Sequence, residues 1–329
     1  MSALIVLGAL LLGAGETMTA LPLRGGEGGI GFDDLRFSPE LGKLLVPAGR
    51  SGRLDLLDPK TRAIVEIAGF SSSREGPRGH SQGTTSADFG DGLIFASDRS
   101  EQSLVVIDPA TRRINARIKL GGSPDYVRWV APVREVWVSE PGSKRIETFR
   151  LAEKSPPRLV PAGNIEVADG PESLEIDPPR NRVYSNTWHD KTIAIDLGSR
   201  AIAARWSNGC EGARGLAVDT ARGFVFVGCT EGKAVVLDAA HDGKVLGTAK
   251  AGKGVDIIAF SAKLSHLYVP AAEAGNLTVL DVGEGGDLKS IGTIVAAPDA
   301  HCAAADGDGN VYVCDPGKGR LLVFADRYR

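Results

Sequence analysis

Short runs of alternating apolar and polar residues, broken by turns rich in glycine and aspartate, recur along the whole chain. A two-residue alternation predicts β-strands. Four stretches share one pattern: "IFASDRSEQSLVVIDPATRRI" (94–114), "VYSNTWHDKTIAIDLGSRAI" (183–202), "VFVGCTEGKAVVLDAAHDGKVL" (225–246) and "LYVPAAEAGNLTVLDVGEGGDL" (267–288). Each reads as a strand, a polar turn, a second strand ending in Asp, another turn and a third apolar stretch. A further strand precedes each, as in "SLEIDPPRNR" and "GLAVDTARG". The unit therefore holds four strands. The residues closing the first of these strands are Ser38, Gly90, Val130, Asp177, Asp219, Ser261 and Asp306, spaced 40 to 52 residues apart. That is the spacing of propeller blades. The pattern predicts an all-β, seven-bladed β-propeller with four-stranded antiparallel blades, because radial packing buries faces that one unit alone leaves open. The seventh unit supplies only three strands. "TALPLRGG" (19–26), just ahead of the first blade, is expected to close the ring as the outer strand of the last one.

The repeats resemble the YVTN-type, or YncE-like, β-propellers. "VYSNTWHDKTIAIDL" and "FASDRSEQSLVVIDPATRRI" carry the likeness, which runs over about residues 29–329. Two units depart from the motif: "VWVSEPGSKRIETFRL" lacks the closing Asp, and "VYVCDPGKGRLLVFAD" puts Cys in a strand. The resemblance implies a secreted or surface propeller and transfers no catalytic residue. Propellers host many chemistries, so function has to come from the site.

Propeller geometry sorts the loops. The connections between second and third strands, and those between blades, meet at one end of the channel, the top. His80, Trp188, His189 and His301 are expected there. His241 and His266 fall in turns at the opposite end, where solvated side chains are expected. Five residues before each blade marker stand Asp33, Thr85, Asp125, Glu172, Arg214, Asp256 and His301, all polar. They predict a ring around the channel mouth, either a hydrated rim or a ligand-binding site. Carboxylates suit a hard divalent cation, and His301 would extend the choice to a transition ion. Asp125, Glu172, Asp256 and His301 are the candidate metal ligands, shared between neighbouring blades rather than across the axis. The insertion "SSSREGPRGHSQG" (71–83) could lay Arg74, Arg78 and His80 over the mouth as a lid, or be a plain surface excursion.

The net charge of −3 offers no basic field for nucleic acid. Residues 3–15 are an apolar run of signal-peptide length, shorter than the roughly 20 residues of a membrane span. The reading is a signal peptide over 1–20, cleaved after Ala20, then one propeller domain over 21–329. A periplasmic or secreted monomer is expected, with no stable membrane span after cleavage. In that setting disulfides persist. Cys302 lies opposite Cys314 across a strand pair, and Cys210 and Cys229 share the top of blade five. Two bridges are expected, with a reactive or metal-binding thiol set as the alternative. No nucleophile elbow, zinc-protease, dinucleotide or P-loop motif is present. The leading functional reading is a binding scaffold for a small polar ligand or a protein partner. The alternative is a metal-dependent hydrolase or lyase with a divalent ion at the channel entrance and His301 moving the proton.

Overall fold

The aspartate that ends the third strand of a repeat is a turn device. The computed structural model, which describes residues 18–73 and 82–328, shows it in four blades. Asp58 accepts the backbone N–H groups of Lys60 and Thr61 at 2.9 Å each. Asp108 accepts Ala110 at 2.9 Å, Asp196 accepts Ser199 at 2.9 Å and Asp238 accepts Ala240 at 2.8 Å. A carboxylate folded back on the following amides fixes an Asx turn, and the chain reverses into the fourth strand. Such bonds favour the ionised form. The Lys43 ammonium and the Thr61 amide hold the Asp58 carboxyl well below the usual range. The Thr111 hydroxyl does the same for Asp108, and the Ser199 amide for Asp196.

These turns build seven sheets of four antiparallel strands among the described residues. The first strands are Arg36–Ser38, Ala87–Gly90, Val127–Val130, Glu172–Asp177, Ala213–Asp219, Ala259–Ser261 and Ala303–Ala305. Each touches the first strand of the next blade, and the seventh returns to the first, so the fold is the expected seven-bladed ring. The second strand of every blade drives one large side chain into the core: Leu45, Phe95, Trp137, Tyr184, Phe226, Tyr268 and Tyr312, none more than 2% exposed. The polar tips among them are satisfied where they are buried, as buried tips should be. Tyr184 donates to Asp177 at 3.2 Å, Tyr268 to Asp326 at 2.6 Å, Tyr312 to Asp306 at 3.1 Å, and the Trp137 indole to Glu135 at 3.1 Å. Adjacent blades interlock through such residues. Trp129 of blade three stacks on Phe95 of blade two, centroids 5.3 Å apart. Gly90 makes room for that ring, since a Cβ there would lie 1.8 Å from Trp129 Cδ1.

His241 behaves as a turn residue, exposed and bonded to Asp238. His266 does not. It opens the second strand of blade six, only 4% exposed, with Nδ1 2.7 Å from the Asp326 carboxylate that also serves Tyr268. The expectation of a solvated side chain fails because the C-terminal segment folds over this turn.

Closure follows the expected route. Thr19–Pro22 pairs antiparallel with Arg320–Ala325, setting Thr19 opposite Val323 and Leu21 opposite Leu321. Thr19 and Ala20 belong to this strand, so cleavage after Ala20 would leave two of its four paired residues. Leu21 packs against the core and Leu23 is buried within it. A chain begun at Arg24 should lose about 3 kcal/mol from these two side chains and expose the edge of Arg320–Ala325. A clearly lowered thermal midpoint is the expected result; an unchanged melt would show that the strand does not hold the ring.

Candidate functional site

The ring residues all stand at the top ends of inner strands, but they do not form an even rim. Asp33, Thr85 and Asp125 are buried, while Glu172, Arg214, Asp256 and His301 are half-buried. Thr85 is closed off by the Ser97 hydroxyl at 2.9 Å. Blade two contributes a cation instead. Arg99, from its second loop, donates to the Pro124 carbonyl at 2.8 Å, bonds the Asp125 carboxylate and lies 3.5 Å from Asp33 Oδ2. Trp188, from the matching loop of blade four, donates its indole N–H to Glu172 at 2.7 Å and packs over Gly170. Its carbonyl faces the Arg214 guanidinium at 3.5 Å, and Asn186 fixes the Arg214 carbonyl at 2.6 Å. His189 stands apart. Its exposed ring bonds Asp169 at 2.6 Å. His80, Arg74 and Arg78 lie outside the described residues.

Four carboxylates share this poorly solvated space with two guanidiniums, and the carboxylates repel one another. Burial and then the Asp125 charge push the Asp33 carboxyl well above its ordinary value, against the pull of Arg99. Burial also raises Asp125, opposed by Arg99 and reinforced by Asp256. Burial, Asp125 and Asp256 together lift Glu172 to about 8, although Trp188 pulls it down. Asp256 thus acts on ring residues of blades one, three and four.

A cavity of about 410 Å³ opens at the mouth over blades five to seven. Three ring residues, Arg214, Asp256 and His301, line it together with Thr230, Glu273 and Asp299. The His301 ring is held on both sides, Nε2 2.9 Å from the Phe32 carbonyl and Nδ1 2.7 Å from the Asp299 carbonyl. Among the described residues, no three of Asp125, Glu172, Asp256 and His301 bring ligand atoms within 4.8 Å of one another. The two groupings that do so, His301 with Cys302 and Cys314, and Cys210 with Cys229 and Glu231, contain the cysteines of two disulfides. Both bridges are those expected, with Cα atoms 5.4 Å apart for Cys210–Cys229 and 5.6 Å for Cys302–Cys314.

Below the ring lies a constellation that the sequence reading missed. A second cavity of about 360 Å³ runs along the axis. On one wall Arg128, 2% exposed, grips Asp34 at 2.5 and 3.0 Å and Glu175 at 3.2 Å. Arg36 binds Glu175 at 2.8 Å and Asp88 at 3.1 Å. The other wall is Ala217, Ala259 and Ala304. All seven of these tier positions (Asp34 excepted) stand three residues after a ring position, so the signal was in the same alignment, one tier further down. Tyr126 also lines this cavity. Its hydroxyl is buried with no hydrogen-bond partner. Burial, then Asp256 and Asp33, push it well above the usual phenol range.

No protein-family model and no curated protein sequence matches the chain. Solved structures do. A chain of the structure titled "Crystal Structure of Mitotic Checkpoint Complex" superposes with a TM-score of 0.79 at 12% identity, over 100% of this chain and 97% of that one. A chain of the Kuenenia stuttgartiensis hydrazine synthase gives 0.74 at 13%, over 98% and 100%. These likenesses show the fold alone.

Two expectations follow from the ring. A carboxyl whose pKa is raised on folding stabilises the fold where it is protonated, and that contribution is lost as pH climbs from 4.5 to about 8 for Glu172. Asp58, Asp108 and Asp196 act oppositely: their contribution is present above the ordinary carboxylate range and lost as pH falls through their lowered values. The melting temperature should therefore decline from about pH 5 to about pH 8.5, and Glu172→Gln should flatten that decline; a slope identical to wild type refutes the assignment. Trp188→Phe removes the N–H that favours the ionised carboxyl, so the Glu172 titration followed by carbon NMR should move upward.

Proposed function

We propose that this chain is a binding propeller whose top face and channel mouth hold a small polar ligand or a protein partner. The mouth cavity carries the reading. At about 410 Å³ it falls within the size range of small-molecule sites, and it collects Arg214, Asp256 and His301 from three blades. One similar chain comes from a structure titled as a complex, which is in keeping with a scaffold role. The two disulfides and the apolar run 3–15 support export to the periplasm or beyond. Among the described residues no helix is long and apolar enough to cross a membrane. The repeated Asp-closed hairpins support membership of the YVTN-type propellers.

The metal-dependent hydrolase or lyase has weaker support, because the candidate ligands are not gathered and the His301 nitrogens face carbonyls. The two readings separate on one preparation. Polar small molecules are screened by thermal shift against wild type and Thr230→Trp, which fills the cavity. A compound that stabilises only the wild type is the expected result, and a screen without such a compound argues against a small ligand. A metal at unit stoichiometry by elemental analysis, lost in Asp256→Ala, would favour the enzyme instead.

A further inference from the structure

The axial space below the ring has two unlike halves. Three residues after the ring positions stand Arg36, Asp88, Arg128 and Glu175 in blades one to four, then Ala217, Ala259 and Ala304 in blades five to seven. The cavity of about 360 Å³ between them shares no lining residue with the one at the mouth. Pro39, exposed in the first turn of blade one, lines it at the face opposite the mouth. Every charge on the polar wall has a counter-charge: Arg128 pairs with Asp34 and Glu175, and Arg36 with Glu175 and Asp88. Single atoms are nonetheless left over. Both arginines take the same Glu175 oxygen, Oε1. Among the described residues Glu175 Oε2 receives no hydrogen bond and Arg36 Nη2 donates none. Both side chains are half-buried and line the cavity. Tyr126 lines it too, 2% exposed, and its buried hydroxyl has no hydrogen-bond partner. A buried polar atom in this condition calls for a partner.

These features select a ligand chemistry. A spare donor beside a spare acceptor is answered by a hydroxyl, which both donates and accepts. A cation would meet Arg36 and Arg128, and an anion would meet Asp34 and Glu175, so neither sign of charge is favoured. Water answers the polar wall, but the alanine wall offers it no bond. A ring with C–H groups on one face and hydroxyls around its edge suits both walls, and the cavity falls within the size range of small-molecule sites. We propose that the lower axial cavity binds a neutral monosaccharide, at a second site separate from the mouth. The C–H face of the sugar lies on Ala217, Ala259 and Ala304, whose small side chains leave it room. One hydroxyl bridges Arg36 Nη2 and Glu175 Oε2, and another accepts from the Tyr126 hydroxyl.

D-Glucose, D-galactose, D-mannose and D-xylose are each titrated into the full chain, with binding followed by saturation-transfer NMR. Saturable binding of at least one is expected. Ala259→Leu fills the lower cavity and should abolish it, whereas Thr230→Trp, in the mouth, should leave it unchanged. Tyr126→Phe removes a hydroxyl that bonds nothing within the protein. Its melting temperature should therefore not fall, while affinity for the sugar drops about three- to tenfold. No binding by any of these sugars, or equal binding by Ala259→Leu or by Tyr126→Phe, would overturn the proposal. Tighter binding of gluconate or glucosamine than of the neutral sugars would overturn it too, because the site would then select charge. Binding lost in Thr230→Trp and kept in Ala259→Leu would place the sugar at the mouth, which supports the binding reading above and overturns this inference. If Ala259→Leu does not fold, the Tyr126→Phe comparison decides.

Discussion

Seven inner strands converge on one axis and send charged side chains into a confined, largely buried space. Charge placed there is weakly screened, so neighbouring blades must match it or leave it protonated. The lower tier matches it. Arg128 sits between Asp34 and Glu175, and Arg36 between Glu175 and Asp88. The upper tier matches it only in part. Arg99 serves Asp33 and Asp125, whereas Glu172 receives a neutral indole and climbs to about 8. Blades five to seven avoid the problem below the ring by placing Ala217, Ala259 and Ala304 there.

This uneven matching separates stability from binding. Removing one member of a buried pair leaves an uncompensated charge, at a cost of about 3–5 kcal/mol. Arg128 is such a member, held on several sides. Among the described residues the Asp256 side chain has no hydrogen-bond or ion-pair partner to strand. The lower tier is thus closed by its own charges, and the upper one keeps acceptors to spare.

The frame was legible because its signals repeat and have local causes. The Asx turns at Asp58, Asp108, Asp196 and Asp238 recur at a fixed place in the unit, and the large residue of the second strand recurs with them. The ring was legible for the same reason, as one polar position per blade. The lower network was not. It occupies four blades and is alanine in three, so it does not read as a period. Arg99 was hidden differently. It sits in a loop whose letters vary from blade to blade, and only the closed ring shows that it reaches Asp33 and Asp125. His266 misled because its partner, Asp326, comes from 60 residues away in sequence.

The stretch "NTWHD" shows how far such a loop can act. Its frame is an ordinary hairpin, and its exposed histidine ring bonds Asp169 on the surface. Its tryptophan, however, bonds Glu172 of its own blade and offers a carbonyl to Arg214 of the next. Arg99 reaches the ring from the same loop of blade two. One brings a full positive charge to Asp33 and Asp125 of the adjoining blades and the other a neutral N–H to Glu172, so the same loop frame leaves ring carboxylates in different electrostatic surroundings. The inner strands set where the ring residues stand. The loops decide how much charge each is left to present, and it is there that one propeller mouth can come to differ from another.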